Sequence, residues 1–166
     1  LLLATGNIQR QVIFTRDYKD IGVGSPRLFN VKEIISSILP LLPLAGISVT
    51  IVFDNLELYA DPLLEKVFYT LLENTIRHGK DVTVIEFSAH MSGDSLVLLC
   101  QDNGEGIPGK YKEAIFDRTH FHNTGLGLYL SRAILAITGI EIRETGTLGK
   151  CARFEITVPN GAYRFS

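Results

Sequence analysis

The sequence predicts an α/β fold, a two-layer sandwich in which helices pack on one face of a mixed β-sheet. Three observations carry this. Apolar stripes of helical period recur near 31–39, 61–78 and 126–137. Short β-rich or alternating runs lie near 47–53, 82–89, 95–102, 140–145 and 151–158. Most of those runs are adjacent in the chain, so they pair as neighbours while helices recur between them.

The bulk numbers fit one folded unit. The chain has 166 residues, 46% of them apolar, which argues for a sizeable core and against disorder. A net charge of −2 argues against a broad nucleic-acid partner. No apolar run approaches membrane-spanning length and no signal peptide is visible, so a cytoplasmic location without direct membrane insertion is expected. Cys100 and Cys151 lack CxxC spacing and read as reduced core thiols. The chain opens LLLATGNIQRQ without an initiator Met and reads as a piece of a longer protein.

Element by element, Leu1, Thr5, Ile8, Val12 and Thr15 share one face of a helix over 1–20. The breaker Gly22-Val23-Gly24-Ser25-Pro26 ends it as a linker. Asn30 can cap a helix whose inward residues are Val31, Ile34, Ile35 and Ile38. ISVTIVF (47–53) is a strand. Asp61 and Pro62 suit the N-cap and first turn of the next helix, with Leu64, Val67, Phe68, Leu71 and Leu72 on its stripe and Gly79 as its stop. Two strands then turn at Gly93-Asp94. After the glycine-bearing stretch 103–124, Leu126, Leu130, Ala133, Ile134 and Ile137 mark another helix. Phe154, Ile156 and Val158 alternate with polar residues in the last strand.

Three places could carry chemistry. Asn74 lies at the margin of the apolar stripe, with Thr70 and Arg77 on the same flank. Taken alone, these are a satisfied amide and a solvated arginine. Asp102 ends an apolar strand and is followed by Gly104 and Gly106. A carboxylate there either caps a turn or accepts from a ligand amine, and glycine lets a flat ring come close. In NTGLGLYL (123–130), two glycines open a helix and leave N–H groups for an anion. The stretch is neither G-x-G-x-x-G nor a P-loop, and alone it is a tight turn.

Together, in this order, the three are far more specific. They resemble the catalytic ATP-binding domain of sensor histidine kinases, of the ATPase superfamily shared with type II topoisomerases and heat-shock chaperones. TLLENTIRHG resembles the family's N box, DNGEGIP its first glycine box and YKEAIFDR its phenylalanine box. TGLGLYLSRAI resembles the second glycine box and GTLGKCARFEITVP the third. The resemblance covers about residues 28–159, and the two-layer fold is the one it implies.

The resemblance implies ATP and Mg²⁺ as cofactors. Asp102 would accept from the adenine amine, with Gly104, Gly106 and Ile107 around the purine. Asn74 would supply an oxygen to Mg²⁺, and Arg77 would meet phosphate, the two being the catalytic pair. Thr124, Gly125, Leu126, Gly127 and Leu128 would close onto the phosphates. Residues 8–26 resemble the end of a dimerisation helix and linker of the kind in archaeal sensor kinases, which divides the chain into 1–25 and a catalytic domain over 26–166. The implied activity is transfer of the γ-phosphoryl group to a histidine on a dimerisation helix. The implied partners are those helices of a homodimeric full-length protein and a response regulator.

There are departures. Thr70 stands where many members carry Asn and the hydrolases a Glu, so efficient ATP hydrolysis is not expected. Cys151 replaces a glycine of the third box. Glu73 lies about 100° from Asn74 and reads as a solvated charge. His120 and His122 read as a solvated loop rather than a metal site. None of His78, His90, His120 and His122 is followed by an acidic residue, so the acceptor histidine is expected outside this chain. A different class, a non-catalytic nucleotide-binding or scaffold module, is the alternative. The anti-sigma serine kinases use the same pocket, but the helix at 1–20 argues against them.

Overall fold

The computed structural model describes residues 19–117 and 125–166. The expected helix over 1–20 lies outside the described residues except for its last two, which are helical. Thr124 and the residues His120, Phe121, His122 and Asn123, expected as a loop, also lie outside.

The described chain runs β1 (Arg27–Asn30), α1 (Val31–Ile38), β2 (Ser48–Ile51), β3 (Leu56–Ala60), α2 (Leu64–His78), β4 (Val84–Ser92) and β5 (Ser95–Asp102). Then come α3 (Gly125–Ala136), β6 (Glu141–Glu144), β7 (Arg153–Val158) and β8 (Tyr163–Phe165). Five strands form the main sheet in the order β2-β4-β5-β7-β6, parallel at β2·β4 and antiparallel elsewhere. A second, antiparallel sheet has the order β1-β3-β8.

The register explains why the helices lie on one face. Side chains alternate along a strand, and pairing lines up Ile51, Phe87, Cys100 and Phe154 in one row and Leu98, Ile156 and Ile142 in the next. Of these, Phe87, Leu98, Cys100, Phe154, Ile156 and Ile142 are buried. They meet Phe68, Leu71 and Leu72 of α2 and Ile134 and Leu135 of α3 in a single core. Phe68 stands edge-on to Phe87, with ring centroids 6.2 Å apart.

Several boundaries differ from the sequence reading. Asp61 is buried and caps the turn before α2, accepting from Leu63 N at 2.9 Å, so the helix begins at Leu64 rather than at Pro62. Its other oxygen accepts from Gly22 N at 2.9 Å, which fastens the 20–24 turn to the domain. Gly79 does end α2, but in extended conformation. A Cβ there would lie 2.4 Å from Thr75 O and 2.5 Å from Val82 Cγ2, so the reason for glycine is crowding. Ile137, placed on the inner stripe, lies past α3 and is exposed. Leu135 takes the buried position instead. The strands β1, β3 and β8 were not anticipated.

Candidate functional site

An open cleft lies between the C-terminal turns of α2 and the end of β5. It is lined by Asn74, Thr75, His78, Gly79 and Lys80 on one side and by Asp102, Glu105, Gly106, Ile107 and Ala152 on the other. Four of the expected site residues therefore share one wall system: Asn74, Asp102, Gly106 and Ile107.

Strand periodicity aims Asp102. It stands opposite Ile85 and two residues on from buried Cys100, so its side chain is on the helix-covered face. Asp102 is 95% buried, which would be costly for an unpartnered carboxylate. Its Oδ1 accepts from Gly104 N at 2.9 Å and Ala152 N at 3.1 Å. Neither bond uses Oδ2, which leaves one carboxylate oxygen able to take a donor from a ligand. Asn103 fixes the same strand end from outside. Its Oδ1 accepts from Thr83 N and Val84 N at 2.9 and 3.1 Å, and its Nδ2 donates to Thr83 Oγ1 at 2.8 Å.

The glycines have reasons inside the protein. A Cβ on Gly104 would lie 2.8 Å from Val82 Cγ2 and 3.2 Å from Lys80 O. Gly104 makes room for the chain that follows α2 and does not line the cleft. Gly106 has φ +77°, and a Cβ there would meet Cys151 O at 2.6 Å and Thr147 O at 2.8 Å. The backbone of the third glycine-box stretch thus approaches Gly106 closely, and Gly149 N donates to Glu105 O. Close approach at these glycines, ascribed to a ligand ring on sequence grounds, is already made by protein backbone and by Val82.

The flank of α2 is divided. Asn74 reaches the cleft, but Arg77 does not line it. The Arg77 guanidinium pairs with Glu73 across one helical turn, Nη2 to Oε1 at 3.2 Å. Glu73 is therefore a partnered charge rather than a merely solvated one. Thr70 packs on α3, because a Cβ on Gly127 would lie 2.9 Å from Thr70 Cγ2. Gly127 is one point where the two helices come close. The side chain of Leu128 is buried in the core, so only its backbone could meet a phosphate. Gly125 opens α3 and Leu126 follows it.

Sequence reasoning missed several cleft residues. Thr75 is buried beside Asn74. Lys80 and Glu105 pair across the mouth at 3.5 Å. Burial, and after it the charge of Arg77, hold the His78 imidazole below its ordinary pKa, which favours the neutral ring. The signal for these was position: they flank Asn74 and Asp102 by a few residues. Burial and the Asp102 charge push the Cys100 thiol up, so it stays protonated.

Behind the cleft, residues 112–116 are bolted to α3 and the sheet. Lys112 Nζ pairs with buried Glu144 and donates to Gly146 O at 3.0 Å. Arg132 of α3 stacks over the Phe116 ring at 4.0 Å, bonds Glu113 at 2.7 Å and donates to Ile142 O at 3.1 Å.

Among the described residues, no group of three His, Cys, Asp or Glu could hold a metal. Asn74 offers one amide oxygen at the cleft. That donor set suits a cation bound largely through phosphates and water, as Mg²⁺ is.

The family model for histidine kinase-, DNA gyrase B- and HSP90-like ATPases matches residues 60–162. The sensor protein KdpD of Escherichia coli (strain K12) is 34% identical over 105 residues, covering 59% of this chain and 12% of that protein. The alginate biosynthesis sensor protein KinB of Pseudomonas aeruginosa is 34% identical over 101 residues, covering 58% of this chain and 17% of that protein. The chain thus spans less than a fifth of the length of these curated relatives. Among solved structures, the catalytic domain of histidine kinase ThkA superposes with a TM-score of 0.69 at 22% identity, covering 82% of this chain and 97% of that one. The Acinetobacter baumannii histidine kinase AdeS gives 0.70 at 20% identity, covering 96% and 82%. These two likenesses concern the fold. The chain belongs to the histidine kinase-, DNA gyrase B- and HSP90-like ATPase family and carries its ATP-binding domain in the form found in sensor histidine kinases.

Proposed function

We propose that the cleft between α2 and the end of β5 holds ATP with Mg²⁺, and that the domain presents the γ-phosphoryl group to a histidine on a dimerisation helix outside this chain. The observation that carries this reading is Asp102, a buried carboxylate with one oxygen fixed by two backbone N–H groups and the other left for a donor. An adenine amine is such a donor, whereas guanine presents a carbonyl at that place.

Asn74, on the facing wall, is the residue to ligate Mg²⁺, which would neutralise phosphate charge. Arg77, once free of Glu73, is within the same flank to meet phosphate. The main-chain N–H groups that open α3 at Gly125, Leu126, Gly127 and Leu128, with Thr124 before them, suit a polyphosphate. The work asked of these residues is positioning and charge stabilisation, since phosphoryl transfer needs little covalent participation by protein. The P–O bond to the γ-phosphorus breaks, ADP leaves with the electron pair, and a P–N bond forms on the acceptor imidazole. Thr70 packs against Gly127 and is no general base, which fits transfer rather than hydrolysis.

The reading brings partners with it: the dimerisation helices of a homodimeric full-length protein and a response regulator. No helix of the described residues is long and apolar enough to cross a membrane. The test has two arms. A fluorescent ATP analogue should bind this chain more tightly with Mg²⁺ than without. With γ-labelled ATP the chain alone should acquire no acid-labile phosphate, and a separate dimerisation-helix segment should be labelled in trans, weakly for want of tethering. Stoichiometric labelling lost on replacing one of the four histidines would overturn the assignment of the acceptor.

A further inference from the structure

The Glu73–Arg77 pair has a direction. Asn74, Thr75 and His78 are the α2 residues that face the cleft. At about 100° per residue, Arg77 lies about 60° from Asn74 on the side away from Thr75, and Glu73 lies about 40° further round the same way. The bond to Glu73 therefore draws the guanidinium away from the cleft. Both side chains are about seven-tenths buried, at 27% and 30% exposure, so the pair is partly shielded from water. An arginine fork fits a carboxylate and a phosphate equally well, and it cannot serve both with the same face.

We propose that Glu73 is a positioning residue that holds Arg77 off the cleft, and that a nucleotide phosphate competes with the Glu73 carboxylate for the guanidinium. This rests on the reading of the cleft as an ATP site and adds a residue to it. Arg77 exchanges one anion for another, and no covalent step is involved. The consequence falls on phosphate-bearing ligands alone: part of the affinity for ATP is spent on breaking the pair, while a nucleoside without phosphates leaves the pair intact.

The experiment is a calorimetric titration of this chain and of its Glu73→Gln variant with Mg-ATP and with adenosine, repeated in an Arg77→Met background. Glu73→Gln keeps the shape of the side chain and removes the competing charge. ATP should bind the variant about twofold more tightly, the scale of one ion pair across a helical turn. Adenosine affinity should not move. The gain should shrink when Arg77 is Met, because there is no guanidinium to release. An unchanged ATP affinity would overturn the proposal, and so would an equal gain for adenosine, which would mean a reshaped cleft. An equal or larger gain in the Arg77→Met background would overturn it too, since that is the signature of the bare carboxylate field. A parent chain that fails to bind ATP would overturn the site reading itself, an outcome distinct from a parent that binds and does not respond to the substitution.

Discussion

At the scale of the residue, the proposed nucleotide site gives Asp102 two duties that a mutation can separate. One oxygen organises the backbone at Gly104 and Ala152. The other would take the purine amine. Asp102→Asn keeps an acceptor for the backbone and puts a donor where the purine must donate. It should stay folded, with ATP affinity reduced at least roughly tenfold, since a hydrogen bond to a charged group is worth about 1.5–3 kcal/mol. Asp102→Ala should lose the same affinity and also melt earlier, as both backbone donors lose their partner. Calorimetry with ATP, beside thermal unfolding of both variants, checks the split. His78 gives a pH prediction. Its folded pKa lies below the ordinary 6.5, so the folded chain holds fewer protons than the unfolded chain in that range. Stability from this group is present above pH 6.5 and is lost as the pH falls through that value toward the folded one. Glu113 and Glu57, held down by bonds to Arg132 and Arg164, act only below 4.5. His78→Gln should therefore flatten the loss of urea midpoint between about pH 7 and pH 5.5.

At the scale of the element, the contact of α2 with α3 can be probed by a double mutant. Gly127→Ala drives a methyl to 2.9 Å from Thr70 Cγ2 and should cost about 1–3 kcal/mol as overpacking. Thr70→Ser removes that methyl group, so the double variant should recover most of the loss. Additive costs in urea melts would refute the contact. Arg132 is the other joint, tying 113–116 to α3 and β6. Arg132→Ala should lower stability by about 1–3 kcal/mol, from one ion pair, one cation–π contact and one carbonyl bond. Lys should rescue only part, lacking the fork. Legibility differed by element for physical reasons. The helix of Leu64, Val67, Phe68, Leu71 and Leu72 was plain because its stripe is long, and the main-sheet strands because they are β-rich, alternating or, in β5, one apolar run. β1 and β8 are four and three residues long, too short for a period to show. β3 could have been found: in Leu56-Glu57-Leu58-Tyr59-Ala60 the alternate residues are apolar, and those three are buried. Asp61, Asn74 and Asp102 were legible as residues. The pairing of Glu73 with Arg77, and the packing that demands Gly104, Gly106 and Gly127, were not, because each depends on a neighbour fixed only in three dimensions.

At the scale of the whole molecule, the cleft is made from the ends of core elements. α2 contributes Phe68, Leu71 and Leu72 to the same core that its last turns extend into the cleft, and β5 contributes Leu96, Leu98 and Cys100 before ending at Asp102. Global unfolding must therefore destroy the site, so a ligand that binds it should stabilise the whole chain by mass action. At a concentration one hundred times Kd the gain is about 2.7 kcal/mol. For a chain of this size, that raises Tm by roughly 5–10 °C, at about 2–4 °C per kcal/mol. In urea the midpoint should rise without a change of slope, because the surface exposed on unfolding is unaltered. Mg-ATP should produce both shifts, Mg-GTP at the same concentration should produce much smaller ones, and Asp102→Asn should abolish the difference between them. A Tm that saturating Mg-ATP leaves unmoved would show that the cleft does not hold this nucleotide. A Tm that ATP and GTP raise equally would show that the phosphates are bound and that Asp102 does not select the base.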